Sequence, residues 1–393
     1  MFSVPSEVSG RTIIAPMSAV TPWTLITEPE ALRQLADELN TEGLVAVDTE
    51  SNSLHAFQEQ VCLVQFTANG DDILVDPLAV PDISPLGPLF ENPGIEKIFH
   101  AAEYDLMVLA RDYDFRFANL FDTMVAARIL GRDKVGLGNL LEAEFGVKLA
   151  KKHQRANWGR RPLTADMLDY ARLDTHYLIE LRTKLKQDLM ERERWAIAEE
   201  DFRRLVDTVL EPPEFDASDV WRVKGASKLQ PEVLAVLQKL VDYRGEQAKR
   251  ADVPLFKILG DKTLVAIAEA RPSNNEELGA LEGMSEGQVR RHGRGLLAAV
   301  QAGHNAGPPQ RPKRSPYDEE FVERVDALRE WRKNAAKAME VESDVVLPRD
   351  LMESIARHNP RNPRELEADL GVLPWRLEHY GDEILDVLRK AGQ

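Results

Sequence analysis

Acidic residues occur in three short segments whose local geometry suits a metal site. In the string VAVDTE, Asp48 and Glu50 stand two residues apart at the end of a predicted strand, so both side chains project from one face. In HAAEYDLMVL, Asp105 falls in the first turn of a predicted helix. In YARLDTHYL, Tyr170 and Asp174 are four residues apart on a predicted helix and therefore share a face.

These acidic segments predict a particular chemistry when they act together. Four carboxylates that converge on one spot repel each other unless cations balance them, and hard oxygen ligands suit Mg²⁺ or Mn²⁺. Two such ions about 4 Å apart activate a water and stabilise the departing oxygen when a phosphodiester is hydrolysed. Taken singly, each segment is equally well explained by exposed acids at a strand end or on a helix surface. Their combination predicts a phosphodiester-cleaving metal site.

The elements that position these residues form a mixed α/β pattern in the first half of the chain. Short apolar runs rich in β-branched residues predict strands at 44–48, 61–67, 73–76 and 97–100. Apolar residues at three- and four-residue spacing predict helices at 30–39, 103–111, 121–130 and 137–145, and a long helical stretch over 164–209. The first three strands indicate a meander, and the fourth, which is followed by helices, indicates a sheet of mixed direction.

The second half of the sequence is nearly all helical and repeats itself after 88 residues. A shift by that length aligns leucine, arginine, alanine, isoleucine, proline and glycine positions without a gap: Leu240 with Leu328, Arg244 with Arg332, Ala248 with Ala336, Ile267 with Ile355, Pro272 with Pro360, Leu278 with Leu366, Gly283 with Gly371, and Gly293 with Gly381. Two unrelated helical cores would not also share Pro and Gly in register. We interpret the pattern as the duplication of one small helical-bundle domain.

These patterns divide the chain into four parts. We expect a catalytic domain at 1–212, which ends where Pro212 and Pro213 break the chain. We then expect a first helical domain at 213–303, a linker at 304–316 and a second helical domain at 317–393. The linker contains the string GPPQRPKRSP, whose Pro and Gly content predicts an extended, mobile segment.

The overall charge argues at first against a nucleic-acid partner. The 393 residues carry a formal net charge of −16, whereas phosphate binding normally shows as a basic surface. Positions 145–165, however, contain no acid, although they lie in the more acidic half. The segment holds His153, Trp158 and the bases Lys148, Lys151, Lys152, Arg155, Arg160 and Arg161. Such a segment suits a nucleic-acid backbone, and a solvated basic loop is the alternative.

Composition narrows the class of protein further. No run approaches the roughly 18 apolar residues of a membrane helix, and the N-terminus lacks the pattern of a secretory signal. The single cysteine, Cys62, has no partner for an internal disulfide and is expected in the core. We therefore expect a cytoplasmic protein without a membrane partner. No phosphate loop of the G-x-x-x-x-G-K-[ST] type occurs, so no nucleotide cofactor is expected, and nothing demands more than a monomer.

The motifs together resemble a known family. The strings DTE at 48–50, HAAEYD at 100–105 and YARLD at 170–174 resemble the three exonuclease motifs of the DEDD superfamily, in its tyrosine-bearing branch. The duplicated unit is similar to the HRDC domain. The strings WRVKG, DVPLFKIL and IAEARP of the first copy are typical of that domain. One such exonuclease followed by two such domains resembles the ribonuclease D family. The second copy reads ESDVVLPR instead of DVPLFKIL, which leaves its role in binding open.

The resemblance implies an RNase H-like mixed sheet with flanking helices and a role for each motif residue. Asp48 would bridge two metal ions, and Glu50 and Asp174 would complete the tighter site. Asp105 would serve the second ion. Tyr170 would orient the attacking water, with the metal as its main activator, because a tyrosine pKa of about 10 makes a poor base at neutral pH.

Further residues are expected to support the motifs or to contact the nucleic acid. His100 and Asp122 would support the motif residues, and Leu54 matches a position where the family wedges an apolar side chain against the terminal base. A buried position in the core explains Leu54 equally well. Trp158 would either stack on a base or pack in the core. Candidate phosphate contacts in the first helical domain are Lys249, Arg250, Lys257, Lys262, Arg290, Arg291 and Arg294. Spacers or protein-docking surfaces are the alternative for these helical domains.

The activity that the resemblance implies is hydrolysis of RNA from a free 3′ end, with release of 5′-mononucleotides. The substrates would be precursors of small stable RNAs, transfer RNA above all, held by the helical domains while the single-stranded tail enters the cleft. A DNA exonuclease is one alternative, because the same carboxylate chemistry cleaves either backbone. A catalytically silent binding scaffold is another, which the complete motif set disfavours. A helicase accessory subunit is a third and weaker interpretation.

Overall fold

The computed structural model describes residues 22–208, 216, 218–310, 318–371 and 373–391. Several predictions fall on other positions. Four of them lie outside the described residues: the N-terminal segment without a predicted secretory signal, the end of the long helical stretch at Val209, the break at Pro212 and Pro213, and positions 311–316 of the linker. Among the described residues, no helix combines the length and the apolar character needed to cross a membrane.

A six-stranded mixed sheet forms the centre of the first half. Its strands are β1 (Thr24–Ile26), β2 (Leu44–Ser51), β3 (Val61–Ala68), β4 (Asp71–Val75), β5 (Glu96–Phe99) and β6 (Leu120–Asp122). They are ordered β1-β4-β3-β2-β5-β6. The β2–β3 and β3–β4 pairs are antiparallel, and β1–β4, β2–β5 and β5–β6 are parallel. The predicted meander and the mixed direction of the sheet are confirmed.

Helices cover both faces of the sheet, which explains why all eight residues of β3 are buried. The helices of this half are α1 (Pro29–Leu39), α2 (Gly87–Glu91), α3 (Glu103–Tyr113), α4 (Thr123–Ile129), α5 (Leu137–Phe145), α6 (Ala165–Ala171), α7 (Leu173–His176), α8 (Leu178–Glu191) and α9 (Trp195–Asp207). Phe66 of β3 packs in one core cluster with residues of α1, α2 and α3. Ala46 and Ile98 pack on the other face with residues of α4, α5, α8 and α9.

The structure corrects two of the predicted elements. Positions 120–122, at the start of a predicted helix, form β6 instead, because Phe121 is buried by parallel pairing with β5. The helix begins only at Thr123, where the carboxylate of Asp122 accepts hydrogen bonds from Met124 N and Val125 N as its N-cap. The long helical stretch after position 164 is divided into the four helices α6 to α9. Strands β1 and β6 were not predicted, since three residues are too short for a clear alternating pattern.

The second half consists of two helical modules with the same order of elements. The first module contains α10 (Pro231–Ala251), α11 (Leu255–Ile258), α12 (Asp261–Ala270), α13 (Asn275–Gly279) and α14 (Glu286–His304). The second module contains α15 (Glu319–Met339), α16 (Ser343–Val346), α17 (Arg349–His358), α18 (Pro363–Leu370) and α19 (Pro374–Ala391).

The 88-residue repeat extends to the backbone of the two modules. The first three helices of the second module begin and end 88 residues after their counterparts, and α18 and α19 begin 88 residues after α13 and α14. The left-handed residues Asp252 and Arg271 recur as Glu340 and Asn359. The second module packs against α4 and α9, and the first module contacts the loop that follows β2. Because α14 extends to His304, the first residue of the predicted linker is helical.

Candidate active site

The first part of the site lies at the end of β2. This strand pairs with β5 in parallel and with β3 in antiparallel orientation. This strand is longer than predicted and continues to Ser51, so Asp48 and Glu50 both lie within it. In the register with β3, Asp48 is opposite Gln65 and Glu50 is opposite Leu63. Residues two apart on a strand share a face, which places both carboxylates on the same side of the sheet.

Asp105 enters the site from the start of α3. The carboxylate of Asp122 accepts hydrogen bonds from Ala101 N at 3.2 Å and from Ala102 N at 2.7 Å, and so fixes the turn that begins this helix. The Thr49 hydroxyl donates a short hydrogen bond to Asp105 Oδ1. The Thr49 hydrogen bond thereby fixes the Asp105 side chain relative to β2. Asp122 holds the backbone at the start of α3, which is the supporting role expected for it.

Tyr170 and Asp174 lie on α6 and α7, two short helices joined at Arg172. The helical hydrogen bond from His176 N to the Arg172 carbonyl oxygen, 3.0 Å long, spans the junction, so the four-residue spacing still keeps both side chains on one face. Buried Asp72 of β4 accepts a hydrogen bond from the Thr67 hydroxyl at 2.8 Å and contacts His176 Nδ1 at 2.8 Å. These bonds fasten α7 to the sheet.

The pKa shifts of the four carboxylates indicate that these acids lie near one another in a largely desolvated part of the fold, where Asp105 is buried and the other three are half-buried. Burial, followed by the charges of Asp105, Asp174 and Glu50, holds the pKa of Asp48 well above its ordinary value. Burial and the charges of Asp174 and Asp105 likewise raise the pKa of Glu50. Burial raises the pKa of Asp105 to about 7 and, together with the charge of Asp105, that of Asp174 to about 7. Carboxylates that disfavour each other's charge in this way need a positive partner.

The residues present fit divalent cations. The donor set consists of carboxylate oxygens alone, which is the chemistry that Mg²⁺ and Mn²⁺ favour. Gln65, opposite Asp48, is fully buried, and neither atom of its amide has a hydrogen-bond partner among the described residues. A buried amide without partners costs about 1–3 kcal/mol, which hydrated ions beside it would relieve. Within the described ranges, no group of three or more Asp, Glu, His or Cys side chains is arranged closely enough to hold a metal ion as it stands.

The repulsion between these carboxylates predicts a change in thermal stability. In metal-free protein, Asp48→Asn should raise the melting temperature by several degrees, because it removes a buried acid among three others. Mg²⁺ or Mn²⁺ should raise the melting temperature of the wild type and have much less effect on the variant. Scanning calorimetry in chelator and in metal measures both shifts. A metal-free variant that melts below the wild type would contradict the clustering of charge.

Trp158 packs in the core, which is the alternative expected for it beside base stacking, and the side chain of Arg161 is held by internal partners. Trp158 is only 2% exposed and its ring lies 6.2 Å from the ring of Tyr170, so it packs in the core and braces the tyrosine. Arg161 donates to both carboxylate oxygens of Asp76 at 2.6 Å and to the Cys62 carbonyl oxygen at 2.8 Å. Cys62 is buried as predicted, and burial raises the pKa of its thiol to about 11.

The remaining predicted contacts are surface residues. Leu54 is 41% exposed, which excludes the alternative of a buried core leucine. Lys151, Lys152, Arg155 and Arg160 are exposed in the basic segment, and Lys249, Lys257 and Lys262 are exposed in the first module. Lys152 pairs with Asp166 and Lys262 with Glu282, both at 2.6 Å. Exposed pairs of this kind are weak and leave both lysines available to phosphate.

Sequence reasoning missed the residues that hold the site together. Asp72 and Gln65 belong to no motif, and Thr49, inside the DTE string, received no role; Asp72 and Thr49 act through His176 and Asp105, which are distant in sequence. The one available signal is a polar residue inside an apolar strand run, as in VCLVQFT, where Gln65 interrupts the hydrophobic pattern. A polar side chain at such a position needs a partner inside the fold.

Comparisons with known proteins agree with this geometry. Residues 23–190 match the family model described as 3′-5′ exonuclease. Residues 233–300 and 322–388 each match the model described as HRDC domain, which places one match on each helical module.

The chain also matches curated relatives over most of their length. The chain is 30% identical to ribonuclease D of Pseudomonas paraeruginosa over 372 residues, which cover 93% of the chain and 97% of the relative. It is 32% identical to ribonuclease D of Gluconacetobacter diazotrophicus, over 92% of the chain and 91% of the relative. Among solved structures, Escherichia coli RNase D, described as an exoribonuclease involved in structured RNA processing, matches with a TM-score of 0.69 and 25% identity, over 94% of this chain and 99% of that one.

Proposed function

Because the chain belongs to the ribonuclease D family and is a 3′→5′ exoribonuclease, we propose that its four clustered carboxylates hold two divalent metal ions. Use of divalent metals goes with this family, and the ions proposed here are Mg²⁺ or Mn²⁺. The observation that supports the site is that acids from three separate elements affect one another: the charge of Asp105 on α3 raises the pKa of Asp48 and Glu50 on β2 and of Asp174 on α7, and burial raises the pKa of all four.

Each side chain then has a part in phosphodiester hydrolysis. When bound, the metal ions supply Lewis acidity for the attacking water and for the departing 3′ oxygen. Following the family resemblance, Asp48 would contribute to both ion sites, with Glu50 and Asp174 at one and Asp105 at the other. The Thr49 hydroxyl orients Asp105, and the network around Asp72 orients Asp174.

Tyr170 is assigned to orient the water rather than to remove its proton. Burial and the neighbouring charge of Asp174 raise the pKa of Tyr170 above its ordinary value, so the hydroxyl keeps its proton at neutral pH. Such a hydroxyl donates one hydrogen bond and accepts others. The rings of Trp158 and His153 hold it in place.

This assignment predicts the effect of Tyr170→Phe. The turnover number should fall by about 10²-fold, the contribution of one positioned hydroxyl, with the Michaelis constant and the metal affinity nearly unchanged. Tyr177→Phe is the matched control, because Tyr177 follows Asp174 by three residues and packs on Phe145 instead. Steady-state kinetics on a single-stranded RNA measures both variants. A Tyr170→Phe enzyme with normal turnover would remove the tyrosine from the mechanism.

The proposed substrate is RNA with a structured body and a single-stranded 3′ tail, with transfer RNA precursors as the natural class. An RNA substrate follows from the family, and support for a structured one comes from the two helical modules. Modules that hold the body of an RNA would leave its unpaired end free to enter a narrow site. We further propose that the enzyme acts as a monomer in the cytoplasm. The domain boundaries at 212 and 303 stay predictions.

A gel assay tests the proposed activity. A 5′-labelled RNA hairpin with a 3′ tail should shorten in steps of one nucleotide with Mg²⁺ or Mn²⁺ and stay intact in chelator, with 5′-mononucleotides as the product. The same tail in DNA should be degraded more slowly. Faster degradation of DNA would point to a DNA exonuclease, and intact RNA under all conditions would leave a binding scaffold.

A further inference from the structure

Two large apolar side chains are exposed where the loop after β2 meets the first module. Leu54 lies in this loop, residues 52–60, and is 41% exposed. Phe256 lies in α11 of the first module and is 57% exposed. Their sequence neighbours touch, since Lys257 Nζ donates to His55 Nδ1 at 3.3 Å. The two apolar side chains therefore border one junction, a few residues along the chain from Asp48 and Glu50.

The loop that carries Leu54 is held from both sides. Phe57 N donates to Asp252 Oδ1 of the first module at 3.1 Å, and the Phe57 ring packs against the core of that module. His55 Nε2 donates to the Arg155 carbonyl oxygen at 3.1 Å. Within the loop, Gln60 N donates to the side chain of Asn52 at 2.8 Å. The exposure of Leu54 is thus a property of a fixed loop.

The duplication shows that the turn carrying Phe256 makes different contacts in the two modules. The equivalent position in the second module is Asp344, which accepts a short hydrogen bond from Arg128 of α4. The equivalent of Lys257 is Val345, which is buried against the first half of the chain. The second module therefore uses this turn for docking. The first module docks through Asp252 instead and leaves Phe256 and Lys257 outside.

The charges around the junction fit a phosphate backbone. Lys257, Arg155 and Arg160 are exposed, and in the part of the chain that the structure describes none of them is in an ion pair. An exposed aromatic ring beside such cations is the usual arrangement for unpaired bases, which stack on the ring while the cations contact phosphates.

We propose that Phe256 is a stacking site for a base of single-stranded RNA upstream of the 3′ terminal nucleotide, with Lys257 and Arg155 on neighbouring phosphates. Leu54 then contacts the nucleotide nearer the active site. The proposal rests on the proposed function, because it assumes that the strand approaches the carboxylates past Leu54. It also gives the two modules different roles, since the turn that binds RNA in the first module is used for docking in the second, where Val345 is buried and Asp344 pairs with Arg128.

A length series of RNA oligonucleotides tests this site. Fluorescence anisotropy in chelator, on strands of two to ten nucleotides, should show a step in wild-type affinity at the length that reaches Phe256. The Phe256→Ala protein should lose this step and bind the longer strands about tenfold more weakly, with dinucleotide binding unchanged. Phe256→Tyr should keep the step. Phe256→Ala should leave the salt dependence unchanged, whereas Lys257→Gln should reduce its slope by about 0.7, the value for one phosphate.

The matched control is Met190→Ala, because Met190 is an equally exposed apolar residue, 60% exposed, on α8. It should bind every length as the wild type does. Equal affinity of Phe256→Ala and wild type for long strands, or an equal loss in Met190→Ala, would overturn the stacking site. Binding in chelator does not depend on cleavage, so a wild type that binds with the step but never cleaves would reject the nuclease function and uphold the stacking site.

Discussion

Asp48→Asn is expected to lower the turnover number by about 10³-fold or more. One lost stabilising group at the reacting centre typically lowers turnover by about 10²–10³-fold. The charges of Asp105, Asp174 and Glu50 all raise the pKa of Asp48, so this acid interacts with each of the other three. The substitution keeps the shape of the side chain and removes one charged oxygen, so the fold should be retained. Single-turnover cleavage of a 5′-labelled RNA measures the rate of chemistry directly.

The control for this substitution is Asp37→Asn, which makes the same chemical change at an exposed position of α1. It should cleave within a factor of two of the wild type. Excess Mn²⁺ should restore little activity to Asp48→Asn, because the amide oxygen that remains is a neutral ligand. Cleavage by Asp48→Asn at the wild-type rate would remove Asp48 from the active site.

Arg376→Met is expected to destabilise the attachment of the second module by about 3–5 kcal/mol. Arg376 is fully buried and bridges the second module to α9, with Nη1 2.9 Å from Glu200 Oε2 and Nη2 2.8 Å from Asp201 Oδ1. It also donates to the Val345 and Val346 carbonyl oxygens. Removal of the guanidinium leaves a buried carboxylate and two carbonyls without their cation.

Urea unfolding with a probe on Trp375 should show an early transition in Arg376→Met that is absent from the wild type. Arg389→Met, which breaks an exposed pair with Asp386, should change stability by less than about 0.5 kcal/mol. Replacement of Glu200 and Asp201 by Gln and Asn in the Arg376→Met background should recover part of the lost stability, because the carboxylate charges left without a cation are then removed as well. Coincident unfolding curves for wild type and Arg376→Met would contradict the role of this ion pair.

The catalytic motifs were predictable because their geometry is local. A D-x-E pattern on a strand and a Tyr four residues before an Asp on a helix fix relative directions of side chains without knowledge of the fold. That these segments come together depends on the order of the strands in the sheet, β1-β4-β3-β2-β5-β6, which local sequence patterns do not fix. The 88-residue repeat was equally readable, because identical residues at constant spacing produce helices at constant spacing.

The RNA contacts were less predictable because they depend on whether a side chain is exposed to solvent or buried in the core. Trp158 and Arg161 lie in a basic, acid-free segment, yet one is buried beside Tyr170 and the other is bound to Asp76. Phe256 lies in an apolar string and is exposed. Sequence composition does not distinguish these cases, since a basic or aromatic residue serves both a core and a surface.

The most direct test of the central claim is anomalous diffraction from crystals grown with Mn²⁺ and an RNA end that resists cleavage. We expect two anomalous peaks about 4 Å apart, one bounded by Asp48, Glu50 and Asp174 and the other by Asp48 and Asp105. The Gln65 amide should face the water molecules around these ions. Crystals with RNA in the cleft but no Mn²⁺ peak beside Asp48 would contradict the account.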